Sequence, residues 1–282
     1  MDTLTLWQLA ALAAASLLVG FSKTAVSGAN TISLAVFAAV LPARESTGVL
    51  LPILIAGDIL AVLVYRRHAH WPTLLRLFPA VAAGVVAGTV FMMWAGDDAV
   101  RTSIGAILLF MSAVTLWRRR GAAREEKQDE DGAAPAADAA VRAADGTASD
   151  GDVSSTAGGG APARTGRLKA RAYGALGGFT TMVANAGGPV LSLYLLSAGF
   201  RKLSFLGTSA WFFLIVNTSK VPFSVGLGLI DGPSLLLDAV LVLFVLPGAY
   251  LGRACVGRIN QKVFDRIVIG ATVLGGLQLL LR

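Results

Sequence analysis

The chain predicts an all-α polytopic membrane protein, two inverted repeats of about five membrane segments each, with roughly eight to ten spanning or re-entrant helices in all. Three observations predict it. Hydrophobic residues make up 55% of the 282 and charged residues only 15%, with a mean hydropathy of +0.69. Several apolar runs approach the ~20 residues that cross hydrocarbon as a helix, where a soluble chain of this length would show amphipathic stripes. Two stretches, Gly20–Asn30 and Gly178–Pro189, interrupt apolar runs with Gly, Ser, Thr, Asn and Pro, residues poorly suited to an unbroken helix. Broken helices at corresponding places in two halves of a membrane protein point to a transporter binding site at the repeat interface.

The first repeat, residues 1–118, carries apolar segments near 4–20, 28–43, 47–65, 73–95 and 99–117. The start Met1-Asp2-Thr3 lacks the basic n-region of a signal peptide, so the first segment is expected to stay in the membrane. The third segment holds Asp58, read as the only acid well inside an apolar segment, and ends at Arg66-Arg67-His68. The fourth carries Gly84 and Gly88, a small-xxx-small pair that lets another helix approach. From 119 to 167 the composition turns to Ala, Gly, Asp, Ser and Thr, with the acidic run Glu125–Asp131. Such a segment cannot bury enough apolar surface to offset its ordering entropy and reads as a disordered cytoplasmic linker. The second repeat, 168–282, carries segments near 170–186, 188–199, 203–229, 233–252 and 261–281. Whether 28–43 and 188–199 span fully is left open by their length.

The landmarks of the two repeats keep their order. Gly20-Phe21 matches Gly178-Phe179 and Arg44 matches Lys202 at an offset of 158; Asp58 matches Asn217 at 159; Gly84 and Gly88 match Gly248 and Gly252 at 164. Basic clusters at Arg118–Arg120 and Arg167–Arg171 place the linker inside and both termini outside, with Arg44 as an exception on the outer side. An odd number of segments per repeat inverts the second repeat against the first.

Polar groups inside a bilayer are costly, about 2.5–3.5 kcal/mol for a charge, so each is a functional candidate. The expected substrate-binding set is Lys23, Asn30, Asn185, Gly187, Gly188, Thr208, Asn217 and Lys220, with Asp58 for coupling or gating. Lysines together with helix N-termini freed at the breaks suit a small anion. The plainer readings are Lys23 as a surface lysine, Lys220 snorkelling to an interface, and Asp58 as a structural ion pair. His68 and His70 read as loop residues rather than metal ligands. The single Cys255 excludes an intramolecular disulfide and a multi-Cys metal site. No catalytic, nucleotide or metal signature occurs in a credible context, so neither enzyme chemistry nor a cofactor is expected.

These residues resemble the TauE/SafE family of membrane permeases, often called sulfite exporters. The likeness lies in Gly20-Phe21-Ser22-Lys23-Thr24 with Gly28, Pro42 through Asp58, and Tyr65-Arg66-Arg67. In the second repeat it lies in Gly178-Phe179, Asn185-Ala186-Gly187-Gly188-Pro189, Gly207-Thr208 and Asn217-Thr218-Ser219-Lys220. It skips the linker, which is unusually long for the family. The resemblance implies export of a small anion (sulfite, a sulfonate or a related organic anion) across the plasma membrane, with proton- or cation-coupled import as the alternative. The expected partners are that anion and the lipid bilayer, with no nucleic acid and with room for a homodimer.

Overall fold

A computed structural model describes residues 4–24, 30–117, 163–255 and 261–281. All regular structure among them is helical. The helices are α1 (Leu6–Thr24), α2 (Asn30–Val40), α3 (Ala43–Tyr65), α4 (Trp71–Trp94), α5 (Asp97–Trp117), α6 (Ala163–Ala184), α7 (Gly187–Ser197), α8 (Lys202–Gly226), α9 (Gly232–Cys255) and α10 (Gln261–Leu281). Each falls on one of the apolar segments of the sequence. Five helices among the described residues, α1, α3 with the 3₁₀ turn Arg66–His68 that follows it, α4, α5 and α9, are long and apolar enough to cross a membrane. Large apolar side chains such as Leu63, Trp94, Leu236 and Leu274 are exposed, as lipid-facing positions require.

Most of the expected linker, and residues 25–29 of the first break, lie outside the described residues. One boundary differs from the sequence reading: α6 begins at Ala163, inside the stretch read as linker. The Ala, Arg, Leu and Lys residues from Ala163 to Arg171 are good helix formers and extend the membrane segment beyond its apolar part.

The short helices α2 and α7 have 11 residues each, about 17 Å at 1.5 Å per residue, roughly half of the ~30 Å hydrocarbon layer. They fold back on their predecessors. Ser33 Oγ in α2 donates to the Ala15 carbonyl of α1 at 2.9 Å, and Tyr194 of α7 meets Tyr173 of α6 with ring centroids 6.0 Å apart. Both pairings run antiparallel, α1 with α2 and α6 with α7, and each short helix is too short to cross such a layer alone.

Glycines set how these hairpins dock. A Cβ on Gly20 of α1 would overlap the Val245 carbonyl of α9, and one on Gly248 of α9 would overlap the Leu17 carbonyl of α1. In the other half, Gly84 of α4 lies against the Ala175 carbonyl of α6, and Gly178 of α6 against the Val81 carbonyl of α4. Only residues without a side chain let backbones approach this closely. The glycines that match at offsets of 158 and 164 thus occupy matching contacts, α1 on α9 and α4 on α6.

Arg44, which the charge rule leaves as an exception, is occupied locally. Its guanidinium donates to the Met92 and Ala95 carbonyls at the end of α4, and its backbone N–H donates to Asp97. It closes the orphan carbonyls of a helix C-terminus.

Replacing Gly84 or Gly178 with Val is expected to lower stability by about 1–3 kcal/mol, as overpacking does. Gly270→Ala, where nothing lies within 4 Å of the added carbon, should leave the melting temperature in detergent unchanged or slightly raised. Equal melting temperatures for all three variants would refute the docking role of the paired glycines.

Candidate functional site

The two hairpin tips and the middles of α3 and α8 converge. Lys23 stands in the last turn of α1, where the helix dipole favours a cation. Its Nζ lies 2.5 Å from Asp58 Oδ1 of α3 and 4.4 Å from the centre of the Phe213 ring of α8, a cation–π arrangement. Asp58 is fully buried, and its second oxygen accepts from Asn217 Nδ2 of α8 at 2.7 Å. The residues that match between the repeats, Asp58 and Asn217, therefore touch one another.

Lys220 is 1% exposed, which rules out snorkelling. Its ammonium donates to the Thr181 carbonyl at 2.7 Å and to Asn185 Oδ1 at 2.5 Å, with Asn217 Oδ1 at 3.5 Å. All three of these partners are acceptors, which suits a side chain that has only N–H donors to offer. Asn185 has φ 52°, the left-handed conformation that Asn tolerates and that ends helices. Its N–H bonds the Thr181 carbonyl, terminating α6, and its Nδ2 donates to the Thr47 carbonyl of α3 at 3.0 Å. One residue thus stops a helix, anchors it to α3 and receives a buried lysine.

A cavity of about 70 Å³ opens beside this network, lined by Ser22, Lys23, Asn30, Asp58, Thr181, Asn185, Gly188, Ser192, Ser209 and Asn217 with apolar Leu54, Leu206 and Phe213. Both short helices begin here. The Asn30 N–H of α2 is held by Ser22 Oγ at 3.0 Å. The helix α7 opens with Gly187 and Gly188, whose N–H groups precede any intrahelical acceptor. Asn30 Oδ1, Thr181 Oγ1 and Ser209 Oγ are buried without a hydrogen-bond partner, so the cavity keeps unused polar valence. The formal charges of Lys23, Asp58 and Lys220 leave one positive charge in excess, and two helix N-termini add to it.

Of the residues expected from the sequence, Lys23, Asn30, Asp58, Asn185, Gly188 and Asn217 line the cavity. Lys220 stands one layer behind them. Gly187 packs against Thr181 and leaves its neighbour Gly188 to face the space. Thr208 lies away from the cavity: its Oγ1 accepts the His70 N–H at 3.0 Å, and the adjacent Gly207 packs on the backbone of Tyr65, His68 and Ala69. That pair grips the turn between α3 and α4, a packing task that its place among polar residues disguised. His68 and His70 sit in that turn, and no His, Cys, Asp or Glu cluster suited to a metal occurs among the described residues. Ser209 and Ser192, which line the cavity, went unremarked in the sequence because single serines in apolar helices carry little signal. A second buried acid, Asp238 in α9, corrects the reading of Asp58 as the only one; it lies six residues into an apolar segment.

The sequence profile described as Sulfite exporter TauE/SafE matches residues 12–279, nearly the whole chain. The protein belongs to the TauE/SafE family. Comparison with curated proteins and with solved structures yields no match. Family membership and the apolar helices make this TauE/SafE protein a multi-pass membrane protein of a transporter family. The family motifs fall on the two hairpin tips, the α3–α4 turn and the centre of α8.

Asn185→Gly keeps the left-handed turn and loses the amide, whereas Asn185→Ala loses both. The Ala variant is expected to be less stable than the Gly variant by about 1–2 kcal/mol, read by thermal unfolding in detergent. A Gly variant less stable than Ala would contradict the helix-terminating role.

Proposed function

We propose that the protein is a secondary transporter that exports a small anion, sulfite or a sulfonate or related organic anion, across the plasma membrane. The observation that carries this reading is a pair of lysines, Lys23 and Lys220, set beside a cavity where two helix N-termini open. Such termini are ready-made anion sites. Family membership supports the sulfur-anion class. The cavity has room for about five water-sized groups at ~15 Å³ each, so a compact oxyanion fits it as it stands, and a longer sulfonate requires it to widen.

In this reading Lys23 supplies the contacting charge, with Asn30, Asn185, Asn217 and the Gly188 N–H as hydrogen-bonding partners. Lys220 orients Asn185 and adds field from behind. Asp58 holds Lys23 from one side. An entering anion competes for Lys23, which couples occupancy to the contact between the α1–α2 hairpin and α3. The matching glycine contacts favour two repeats related by a pseudo-two-fold axis in the membrane plane, and the basic clusters of the sequence favour a cytoplasmic linker with both termini outside. An inside-negative potential of 100 mV drives each negative charge outward with about 2.3 kcal/mol and so favours export.

The proposal is tested by sulfite efflux from proteoliposomes. Lys23→Ala and Lys220→Ala are expected to abolish efflux while leaving the protein folded and monodisperse. Wild-type rates in both single variants would refute the site assignment.

A further inference from the structure

Asp238 lies in none of the machinery described so far. It belongs to the stripe Ser234, Asp238, Leu241, Val245, Ala249 and Gly252, the buried face of α9. This face meets α1, since Gly248 packs on Leu17 and Gly252 on Phe21 and Thr24. Asp238 is 2% exposed, about 9 Å along the helix from Gly232 at 1.5 Å per residue. Neither carboxylate oxygen has a hydrogen-bond partner.

The charged and titratable groups on the packed elements are accounted for elsewhere. On α1, Lys23 pairs with Asp58 more than three turns away along the helix pair. On α3, Arg44 caps α4, Glu45 is exposed, Asp58 is in the central network and Tyr65 donates to the Thr24 carbonyl. At the start of α9, Asp231 caps the helix: its Oδ1 accepts the Ser234 N–H at 2.8 Å, and Ser234 Oγ accepts the Asp231 N–H at 2.9 Å. None of them bonds Asp238. An ionised carboxylate without partners in such a place is strongly disfavoured, whereas the neutral acid is tolerated. Packing does not call for an acid here. The offset of 164 that carries Gly84 to Gly248 also carries Leu74, itself fully buried, to Asp238.

We propose that Asp238 is a proton-binding site, distinct from the anion cavity, that holds a proton in the described conformation and releases it when the α1–α9 face admits water. Each transport cycle would then carry a proton with the anion site's change of access. The proton site stands on the burial and isolation of Asp238, and its coupling to flux rests on the transport reading above.

Two measurements on the lipid-reconstituted full chain test it. Infrared spectroscopy at neutral pH should show the carbonyl stretch of a protonated carboxylic acid, lost in Asp238→Asn. Absence of the band in the wild type, or its persistence in the variant, overturns the proton site. In proteoliposomes, a pH gradient should accelerate net flux of radiolabelled sulfite in the wild type. Asp238→Asn and Asp238→Leu should lose that acceleration while sulfite–sulfite exchange continues, and the Leu variant should melt no lower than the wild type. Acceleration retained in both variants, or following a sodium gradient instead, overturns the coupling. Wild-type protein with no exchange at all would fail the sulfite reading, while the infrared result still decides the proton site.

Discussion

The ion pair between Lys23 and Asp58 is the constraint from which the centre of this protein follows. Charges placed among apolar helices must find partners within a few ångströms, and here the partners come from four different helices. Lys23 on α1 meets Asp58 on α3. Asp58 receives Asn217 from α8, and Lys220 of α8 reaches back to the end of α6 at Thr181 and Asn185. Asn185 in turn bonds α3 again at Thr47. Removing one member leaves the next without its partner, a local cost borne by a fold that its helix packing also holds. The hairpin tips are held in register by this chain of polar contacts as well as by shape.

Packing provides the other half of the arrangement. The glycine contacts of α1 on α9 and of α4 on α6 bring backbones close enough to fix each hairpin against a long helix. The helices α2 and α7 start at the central cavity, among packed helices rather than at an outer face. Free N–H groups can stay there only where they line a polar cavity or meet a side chain, as Asn30 does on Ser22. The short helices and the polar cavity are therefore one structural solution: each requires the other.

Much of this was legible in the sequence. Hydropathy located every helix to within a few residues, apart from the early start of α6. The breaks announced themselves through Asn185-Ala186-Gly187-Gly188-Pro189 because helix-stopping residues are conspicuous in an apolar run. The matching of Asp58 with Asn217 came from spacing alone, but their direct contact did not, since sequence order says nothing about which faces of α3 and α8 cross. Thr208 read as a site residue because its hydroxyl in an apolar helix looks the same whether it faces a cavity or a neighbouring turn. Arg44 read as a topological exception because capping of α4 depends on a residue some fifty positions away. Asp238 escaped notice because a single acid near the start of a segment resembles an interfacial residue until its burial is known.

The proposed anion site lies where α1 and α6 end, against Lys23 and the start of α7. Selenite, the heavier analogue of sulfite, tests it directly through an anomalous difference map from crystals grown in lipid. A single selenium peak is expected in the cavity between Lys23, Asn185 and Gly188. A peak confined to the basic residues at the membrane surface, with the cavity vacant, would contradict it.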